Sequence, residues 1–171
     1  MKIFISYHLA DQQRVDRIKN KLIQQNIAFY AVSENANFDG WSNQKISDFI
    51  LEKMKDCQIL LCVVGTETYS RPHVDYELHN SLKGGVGKRL GWIIDLLETR
   101  KDSIYNIDYS TFPNRIQDNE HYACMVANAS LIDQLVILIQ QAKDKRNDPS
   151  IQIDNTRQCM LLSQGKYYQD L

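Results

Sequence analysis

The segment SRPHVDYELHNS, at residues 70–81, places a carboxylate near the start of a helix that follows a strongly apolar stretch. Pro72 suits the first turn of that helix, where its missing N–H is not needed, and Ser70 is predicted to cap it. Glu77 lies four residues after His73, so the two side chains can meet on one helix face. A carboxylate in this position could hydrogen-bond ribose hydroxyls or stabilise an oxocarbenium-like centre during glycosidic bond cleavage. The same spacing also fits a solvated surface glutamate with a helical partner.

Other kinds of site are disfavoured by spacing. The run GGVGK at residues 84–88 resembles a phosphate-binding loop, but it follows a predicted helix and precedes a predicted strand. A phosphate-binding loop needs the reverse order, so this run is predicted to be a helix C-cap and turn. His73 and His79 are six residues apart and lie on different helix faces. The first strand ends at residues 6–8 without paired acids, so no metal site is predicted.

Strand-like and helix-like patterns alternate along the chain, which indicates a parallel sheet with helices on both faces. The apolar run QILLCVVG is typical of a strand covered on both sides. The segment 95–119 is predicted to be irregular, and 144–157 to be charged and loose. The predicted strands are 2–7, 27–32, 58–65, 89–94 and 121–127, and the predicted helices are 8–25, 42–56, 70–83 and 130–143.

Ligands of open parallel sheets bind outside the carboxyl ends of the strands, which directs attention to three loops. These loops are 7–10, 33–41 and 66–73, and the last one leads to Glu77. Supporting residues in or beside them have alternatives that the pattern leaves open. Ser6 could contact a ligand or bond a backbone amide, and His8 could contact a ligand or lie on the surface.

Two further candidates belong to the loop after the second predicted strand. Asp39 and Trp41 could line the cleft above the strand ends. Trp41 could equally pack as a hydrophobic staple just before the helix cap at Ser42. Ser70 is predicted to be a helix cap that can also contact a ligand.

Composition indicates a single globular domain of ordinary polarity. The chain has 171 residues, 43% of them hydrophobic, with a formal net charge of -1 and an isoelectric point near 6.4. This balance predicts no binding to nucleic acid or to an anionic membrane. Four cysteines without CxxC spacing, a polar N-terminal region and the lack of an 18-residue apolar run predict a cytoplasmic protein.

Several motifs together resemble the TIR domains, and among them the bacterial TIR-like proteins of Thoeris-type antiphage defence. KIFISYH at 2–8 is similar to that group's first strand, and VVGTETYSRPHVDYEL at 63–78 to its third strand, loop and helix. Many TIR domains carry Ser-x-x-Trp-Cys-x-x-Glu across this helix. Ser70 and Glu77 match that motif, while His73 and Val74 stand where the family has Trp and Cys. FDGW occupies the position of the loop after strand two, and the resemblance covers roughly residues 1–94, with weaker support to 143.

The resemblance implies a flavodoxin-like TIR fold over residues 1–143, with a mostly parallel sheet of about five strands, followed by a C-terminal extension at 144–171. It implies an NAD⁺ glycohydrolase or cyclase that makes a cyclic or conjugated ADP-ribose second messenger for a downstream effector. NAD⁺ is then a substrate, and no metal or further cofactor is expected. A phage-derived trigger and self-assembly are also implied. Glu77 would be catalytic, and the implied substrate-binding residues are Ser6, His8, Asp39, Trp41, Ser70 and His73.

Three alternatives remain at this point. A nucleoside deoxyribosyltransferase-like enzyme has the same shape and also uses a glutamate on a helix after a strand, there as a nucleophile. A TIR domain can instead be a non-catalytic interaction or scaffold module, which would tolerate the loss of Glu77. A sensor of nucleotide signals would bind its ligand without turnover.

Overall fold

A computed structural model describes residues 1–32, 40–101, 104–107 and 109–160 of the chain. The strands, in chain order, are β1 (Lys2–Tyr7), β2 (Ala28–Ala31), β3 (Ile59–Val64), β4 (Gly91–Leu96), β5 (Glu98–Lys101), β6 (Ile104–Ile107) and β7 (Cys124–Ala127). The helices are α1 (Gln12–Gln24), α2 (Asn43–Met54), α3 (Pro72–Ser81), α4 (Asn114–Asp118) and α5 (Asn128–Asn147).

Five strands form one sheet in the order β2-β1-β3-β4-β7, and every neighbouring pair in it is parallel. Strands β5 and β6 form a separate antiparallel pair. A sheet order in which the chain moves first to one side of β1 and then to the other is that of the flavodoxin-like folds. The predicted fold class is therefore confirmed, with a fully parallel main sheet.

Alternating side chains of the strands supply two cores, one on each face of the sheet. Phe4, Leu60 and Cys62 pack with residues of α2 and α3 on one face. Ile3 and Leu61 pack with residues of α1 and α5 on the other. All six side chains of β3 are fully buried, as the apolar run predicted. Helix α3, which carries Glu77, therefore lies in the layer that it shares with α2.

The fourth strand begins at Gly91, two residues later than predicted, because Arg89 has another role. Its guanidinium donates hydrogen bonds to the carbonyl oxygens of Arg146 (3.2 Å) and Asp148 (2.9 Å), at the end of α5. The last carbonyls of a helix lack intrahelical donors, so Arg89 satisfies groups that would otherwise be unpaired. Between α3 and β4, positive φ angles at Gly84 and Gly87 confirm the predicted turn.

The segment 95–119 is not irregular as predicted, since it holds the end of β4, the β5–β6 pair and α4. Arg115 and Ile116 on α4 are fully buried. A short helix can be part of the fold without a long periodic pattern when a few of its side chains reach the core. Tertiary contacts, rather than local pattern, define this segment.

The prediction that residues 144–157 are loose is wrong. Helix α5 continues to Asn147, and residues 148–160 then pack along the domain. Ile151 and Ile153 contact the core beside α2 and α3, and Cys159 is buried within it. The division of the chain at residue 143 into a domain and an extension stays a prediction. None of the helices described over 1–32, 40–101, 104–107 and 109–160 meets the length and hydropathy needed to cross a membrane.

Candidate functional site

Glu77 is buried, with only 4% of its surface exposed. Helix α3 begins at Pro72, and Val74 and Leu78 of this helix pack into the core on the side of the sheet that α2 covers. The interpretation of Glu77 as a solvated surface glutamate is therefore wrong. Burial of a carboxylate is costly unless it is compensated, so a buried glutamate on a short helix calls for a functional or structural explanation.

Glu77 and Ser6 both lie near the thiol of Cys62. Ser6 is the register partner of Cys62 across the β1–β3 pair, and both side chains are fully buried. Burial raises the pKa of the Cys62 thiol, the Glu77 carboxylate raises it further, and the Ser6 hydroxyl opposes the rise. Independently of this pKa, helix α3 contacts both β1 and β3. The structure thus brings together two of the predicted site residues, from β1 and from α3.

His8 extends the same side of β1 beyond the strand. Phe4, Ser6 and His8 alternate along an extended backbone, and the φ and ψ of His8 are still in the extended region. His8 is 8% exposed, so its interpretation as a surface residue is wrong. Its carbonyl oxygen accepts the N–H of Asp11 at 2.8 Å, which starts the turn into α1. A buried imidazole at this strand end lies on the face of the sheet that carries Ser6.

His73 lies in the first turn of α3 as a neutral imidazole at physiological pH. Burial, together with the nearby Arg71 guanidinium, lowers the pKa of His73 to about 4. A neutral ring can donate one hydrogen bond, accept another and offer a flat apolar face. His73 therefore adds polarity and surface to the start of α3 without adding positive charge.

Ser70 does not cap α3, so that prediction is wrong. Residues Thr68–Ser70 form a 3-10 turn, which makes Arg71 the N-cap residue, and Arg71 makes no side-chain cap hydrogen bond. The Ser70 hydroxyl donates backwards to the carbonyl oxygen of Glu67 at 3.0 Å. Ser70 is exposed, and its role as a substrate contact stays a prediction.

We expect substitutions of the two serines to have different effects on stability. Ser42 caps α2 as predicted, because its Oγ accepts the N–H of Lys45 at 3.2 Å. Ser42→Ala should lower the free energy of unfolding by about 1 kcal/mol, whereas Ser70→Ala should change it by less than about 0.5 kcal/mol. Urea unfolding of both variants measures this difference. An equal or larger loss for Ser70→Ala would contradict the assignment of the caps.

Trp41 lies just before the Ser42 cap and is half-buried. Its ring meets Phe49 edge to face, with 5.8 Å between the ring centroids, and packs against the core. The Lys45 ammonium lies 4.0 Å from the Trp41 ring centroid. These contacts agree with the packing role that was one of the two interpretations of Trp41. Asp39, the other candidate from this loop, lies outside the described residues.

The loop between β3 and α3 is held in place from both ends. Thr68 is fully buried, and its hydroxyl accepts the N–H of Gly65 at 2.7 Å. On the other side the Asp11 carboxylate packs so closely against Gly65 that a Cβ at this position would overlap it. The absence of a side chain at Gly65 therefore allows Asp11 to approach the loop that leads to Glu77.

Gly65→Ala is expected to destabilise the protein by about 1–3 kcal/mol, because overpacking forces neighbouring atoms to move. The change can be measured by urea unfolding. The loss should shrink in an Asp11→Ala background, since the overlapping carboxylate is then absent. An unchanged loss in that background would show that the cause is not the contact with Asp11.

A buried charged network, missed by the sequence analysis, underlies the same loop on the opposite face of the sheet. Arg14 of α1 donates to Asp95 Oδ2 (2.7 Å), Asp11 Oδ1 (3.0 Å) and the carbonyl oxygen of Val64 (3.0 Å). Asn128 also donates to Asp95 Oδ2, at 3.1 Å. Burial raises the pKa of Asp95, while Arg14 and Asn128 oppose that rise. We call Asp11, Arg14, Asp95 and Asn128 the Arg14 network.

One sequence signal could have revealed this network. Asp95 follows GWII within a strand that is covered on both faces, and a carboxylate in such a place needs a cationic or hydrogen-bonding partner. The partner itself could not be identified, because Arg14 is 81 residues away. The network binds α1 to the ends of β3 and β4, where the loop toward Glu77 begins.

The site therefore combines a buried carboxylate from α3 with a buried hydroxyl from β1 and a neutral imidazole near the helix start. A buried, fixed carboxylate can stabilise positive charge that develops on a bound substrate, because little water screens it. A hydroxyl and an imidazole can fix polar groups of the same substrate. These groups suit a reaction with a cationic transition state.

Comparison with known proteins agrees with this geometry. A family model described as "Thoeris protein ThsB, TIR-like domain" matches residues 4–96, which is more than half of the chain. The matched range includes β1 from Phe4 onward, β3, α3 and all seven predicted site residues. A search of curated proteins found no match. On the strength of the family match and the flavodoxin-like sheet, the chain belongs to the Thoeris ThsB TIR-like domain family, which has a TIR-type role in defence.

Proposed function

We propose that this protein cleaves NAD⁺ as a TIR-type glycohydrolase or cyclase, with Glu77 as the catalytic residue. The observation that carries the proposal is the burial of Glu77 beside Ser6 and Cys62, in a chain that belongs to the Thoeris family. A carboxylate that only solubilised the helix would be exposed to water. A carboxylate interacts more strongly with a cationic reaction centre when it is shielded from water and held in a fixed position.

The proposed reaction begins with cleavage of the bond between the ribose C1′ and the nicotinamide nitrogen. The electron pair of this bond leaves with nicotinamide, which becomes neutral, and the positive charge moves to the ribose as an oxocarbenium-like centre. Glu77 accepts hydrogen bonds from the ribose hydroxyls and stabilises that charge. Little proton transfer is needed at this step, because cationic nicotinamide is already a good leaving group.

The ADP-ribosyl centre then meets a nucleophile. Water gives ADP-ribose and releases a proton to solvent, whereas an internal hydroxyl or an adenine nitrogen gives a cyclic product. Another nucleophile would give a conjugated product. We propose that the product is a second messenger that activates a downstream effector in bacterial antiphage defence. A phage-derived trigger and self-assembly of the domain belong to the same proposal.

Substrate contacts are proposed for six further residues. Ser6 and His8, at the end of β1, would contact ribose or phosphate oxygens. His73 would offer its neutral ring to the base or the ribose, in the position where many TIR domains have Trp. Asp39, Trp41 and Ser70 complete the proposed set from the two neighbouring loops.

Product analysis by liquid chromatography and mass spectrometry tests the proposal. NAD⁺ is supplied to extracts from phage-infected and uninfected cells that express the native protein, Glu77→Gln or Glu52→Gln. Glu52 is an exposed glutamate of α2, so Glu52→Gln makes the same chemical change away from the site. We expect nicotinamide and a new ADP-ribose species after infection with the native protein and with Glu52→Gln.

Glu77→Gln should give neither product while remaining folded by circular dichroism. If the native protein also forms no product in either extract, NAD⁺ cleavage is ruled out under those conditions. The interaction module then becomes the better account of the chain. Release of a base from free nucleosides, without reaction of NAD⁺, would instead support the deoxyribosyltransferase-like alternative.

A further inference from the structure

Residues 148–160, which we call the C-terminal strap, lie outside the range that matches the family model. The strap follows α5 and packs along the domain without regular helix or strand over 148–159. Its contacts are made with α3 and α4 rather than with α5 alone. The strap therefore reaches the helix that carries Glu77.

A buried ion pair lies where the strap meets α3. The Arg115 guanidinium of α4 donates to both carboxylate oxygens of Asp75 on α3, at 2.9 Å and 3.3 Å. Arg115 is fully buried and Asp75 is 3% exposed. Two hydrogen bonds between one guanidinium and one carboxylate fix the relative orientation of the two groups as well as the distance between them. Helix α3 is thereby held against α4 at its first turn.

The strap completes this pair. Arg115 also donates to Asn155 Oδ1 (2.7 Å) and to the carbonyl oxygen of Arg157 (3.1 Å). The N–H of Met160 donates to Asp75 Oδ2 at 2.8 Å. Both charged groups of the pair therefore have partners in the strap, and a buried charge is tolerated only when its hydrogen-bonding capacity is met.

The strap runs antiparallel to α3. Asn155 lies beside His79, where its Nδ2 donates to the His79 carbonyl oxygen at 3.1 Å. Met160 reaches Asp75, closer to the start of the helix. Cys159 is buried in the core that includes Tyr76 of α3. Contacts near both ends of α3 leave this ten-residue helix little freedom to slide or rotate.

Asp75 and Glu77 leave α3 in different directions. Residues two apart on a helix do not face each other, so Asp75 can face the strap while Glu77 lies near Cys62 of β3. Contacts on the Asp75 side therefore set the rotation of α3 about its axis. That rotation determines where the Glu77 carboxylate lies relative to β1 and β3.

We infer that Asp75, Arg115 and Asn155 are positioning residues, through which the C-terminal strap fixes α3 and aims the Glu77 carboxylate. The inference rests on the proposed function for its effect on catalysis, although the coupling between strap and helix does not depend on it. A displacement of about 1 Å in a catalytic group can reduce turnover by roughly 100-fold. The strap acts through α3 and touches no reacting atom.

Two variants of the full-length protein separate this role from a general loss of stability. Asn155→Ala removes the strap's side-chain contacts with Arg115 and His79. Gln158→Ala removes an exposed amide side chain of the same strap, between Asn155 and Met160, and serves as the matched control. Asp75→Asn is a second test variant, because it keeps the shape of the side chain but removes its charge.

Hydrogen–deuterium exchange is measured on peptides that cover 72–81 and 154–160, together with kcat and KM for NAD⁺. Asn155→Ala should speed exchange in both peptides and lower kcat roughly 10- to 100-fold with little change in KM. Asp75→Asn should act in the same direction. Gln158→Ala should leave the exchange of 72–81 and kcat unchanged.

Faster exchange in 154–160 alone, with normal exchange in 72–81 and normal kcat, would overturn the inference. So would an equal effect of the control variant. If the native protein does not cleave NAD⁺, the proposed function fails, and the exchange of 72–81 in Asn155→Ala still decides whether the strap holds α3. If one of the two test variants, Asn155→Ala or Asp75→Asn, fails to fold, the other is used in its place. Both disturb the same contacts, one from the strap and one from α3.

Discussion

Replacement of Glu77 by glutamine is expected to reduce NAD⁺ cleavage by about 100- to 1000-fold while the protein remains folded. Removal of one fixed electrostatic contact to a transition state typically costs this much in kcat. Glutamine keeps the size of the side chain but cannot offer a negative charge to an oxocarbenium-like centre. Nicotinamide release, followed over time at saturating NAD⁺, measures the loss directly.

Stability provides the internal control for this variant. Glu77 is buried, and a neutral amide is easier to bury than a charged carboxylate. Glu77→Gln should therefore unfold at the same temperature as the native protein or at a higher one. A loss of activity that appears only together with a much lower unfolding temperature would indicate a structural role for Glu77 instead of a catalytic one.

Arg14→Met is expected to cause the second large effect, which is a loss of stability. Arg14 is the cation that compensates the fully buried Asp95 and the neighbouring Asp11. Removal of one partner of a buried ion pair leaves an uncompensated charge and typically costs about 3–5 kcal/mol. Methionine fills much of the same space, so the loss reflects charge and hydrogen bonds more than a cavity. Urea unfolding at neutral pH measures it.

The loss for Arg14→Met should also depend on pH. Burial raises the pKa of Asp95 in the folded protein, while Arg14 opposes the rise. Without Arg14 the pKa of Asp95 in the folded state is higher still, so more stability is lost as pH rises and Asp95 ionises. Protonated Asp95 has less need of a cation. The difference in unfolding free energy between variant and native protein should therefore be larger at about pH 7.5 than at about pH 5.

Arg17→Met is the matched control for Arg14→Met, because Arg17 is an exposed residue of the same helix. The control should change the free energy of unfolding by less than about 0.5 kcal/mol at either pH. If both variants lose the same stability, or if the loss for Arg14→Met does not change with pH, Arg14 is not the compensating charge for Asp95.

Periodicity was sufficient to predict the parallel sheet. The run QILLCVVG is typical of a strand covered on both faces, and the structure buries every residue of β3. Helix α5 was predicted from a periodic run of apolar residues, and only its ends were placed differently. These elements were predictable because their local patterns and their burial agree.

Other elements depend on residues that are distant in the chain. The strap, α4 and the position of Arg89 make sense only once Asp75, Asn155 and the end of α5 are brought together. Taken alone, the charged and polar residues 144–157 predict a loose segment. The hydrogen bond between Arg115 and Asn155 instead attaches this segment to the folded domain.

The candidate site divides in the same way. Spacing within SRPHVDYELHNS indicated the helix and singled out Glu77, but it could not decide between an exposed and a buried carboxylate. The structure decided this, because α3 packs its Val74 and Leu78 into the core and Glu77 is buried with them. For Ser70 the prediction was wrong, since a 3-10 turn over Thr68–Ser70 makes Arg71 the N-cap residue of α3 instead.

The amino-acid sequence by itself determined the α/β class, the approximate positions of the main strands along the chain and the identity of the candidate carboxylate, because each depends on local pattern or on a short motif. Only the tertiary structure decided the burial of Glu77, the compensation of Asp95 by Arg14 and the attachment of the strap to α3. The ion pairs and strap contacts among them join residues 40 to 85 positions apart in the chain. No local preference specifies such pairings, because they form only when the sheet and its two helical layers have closed around them.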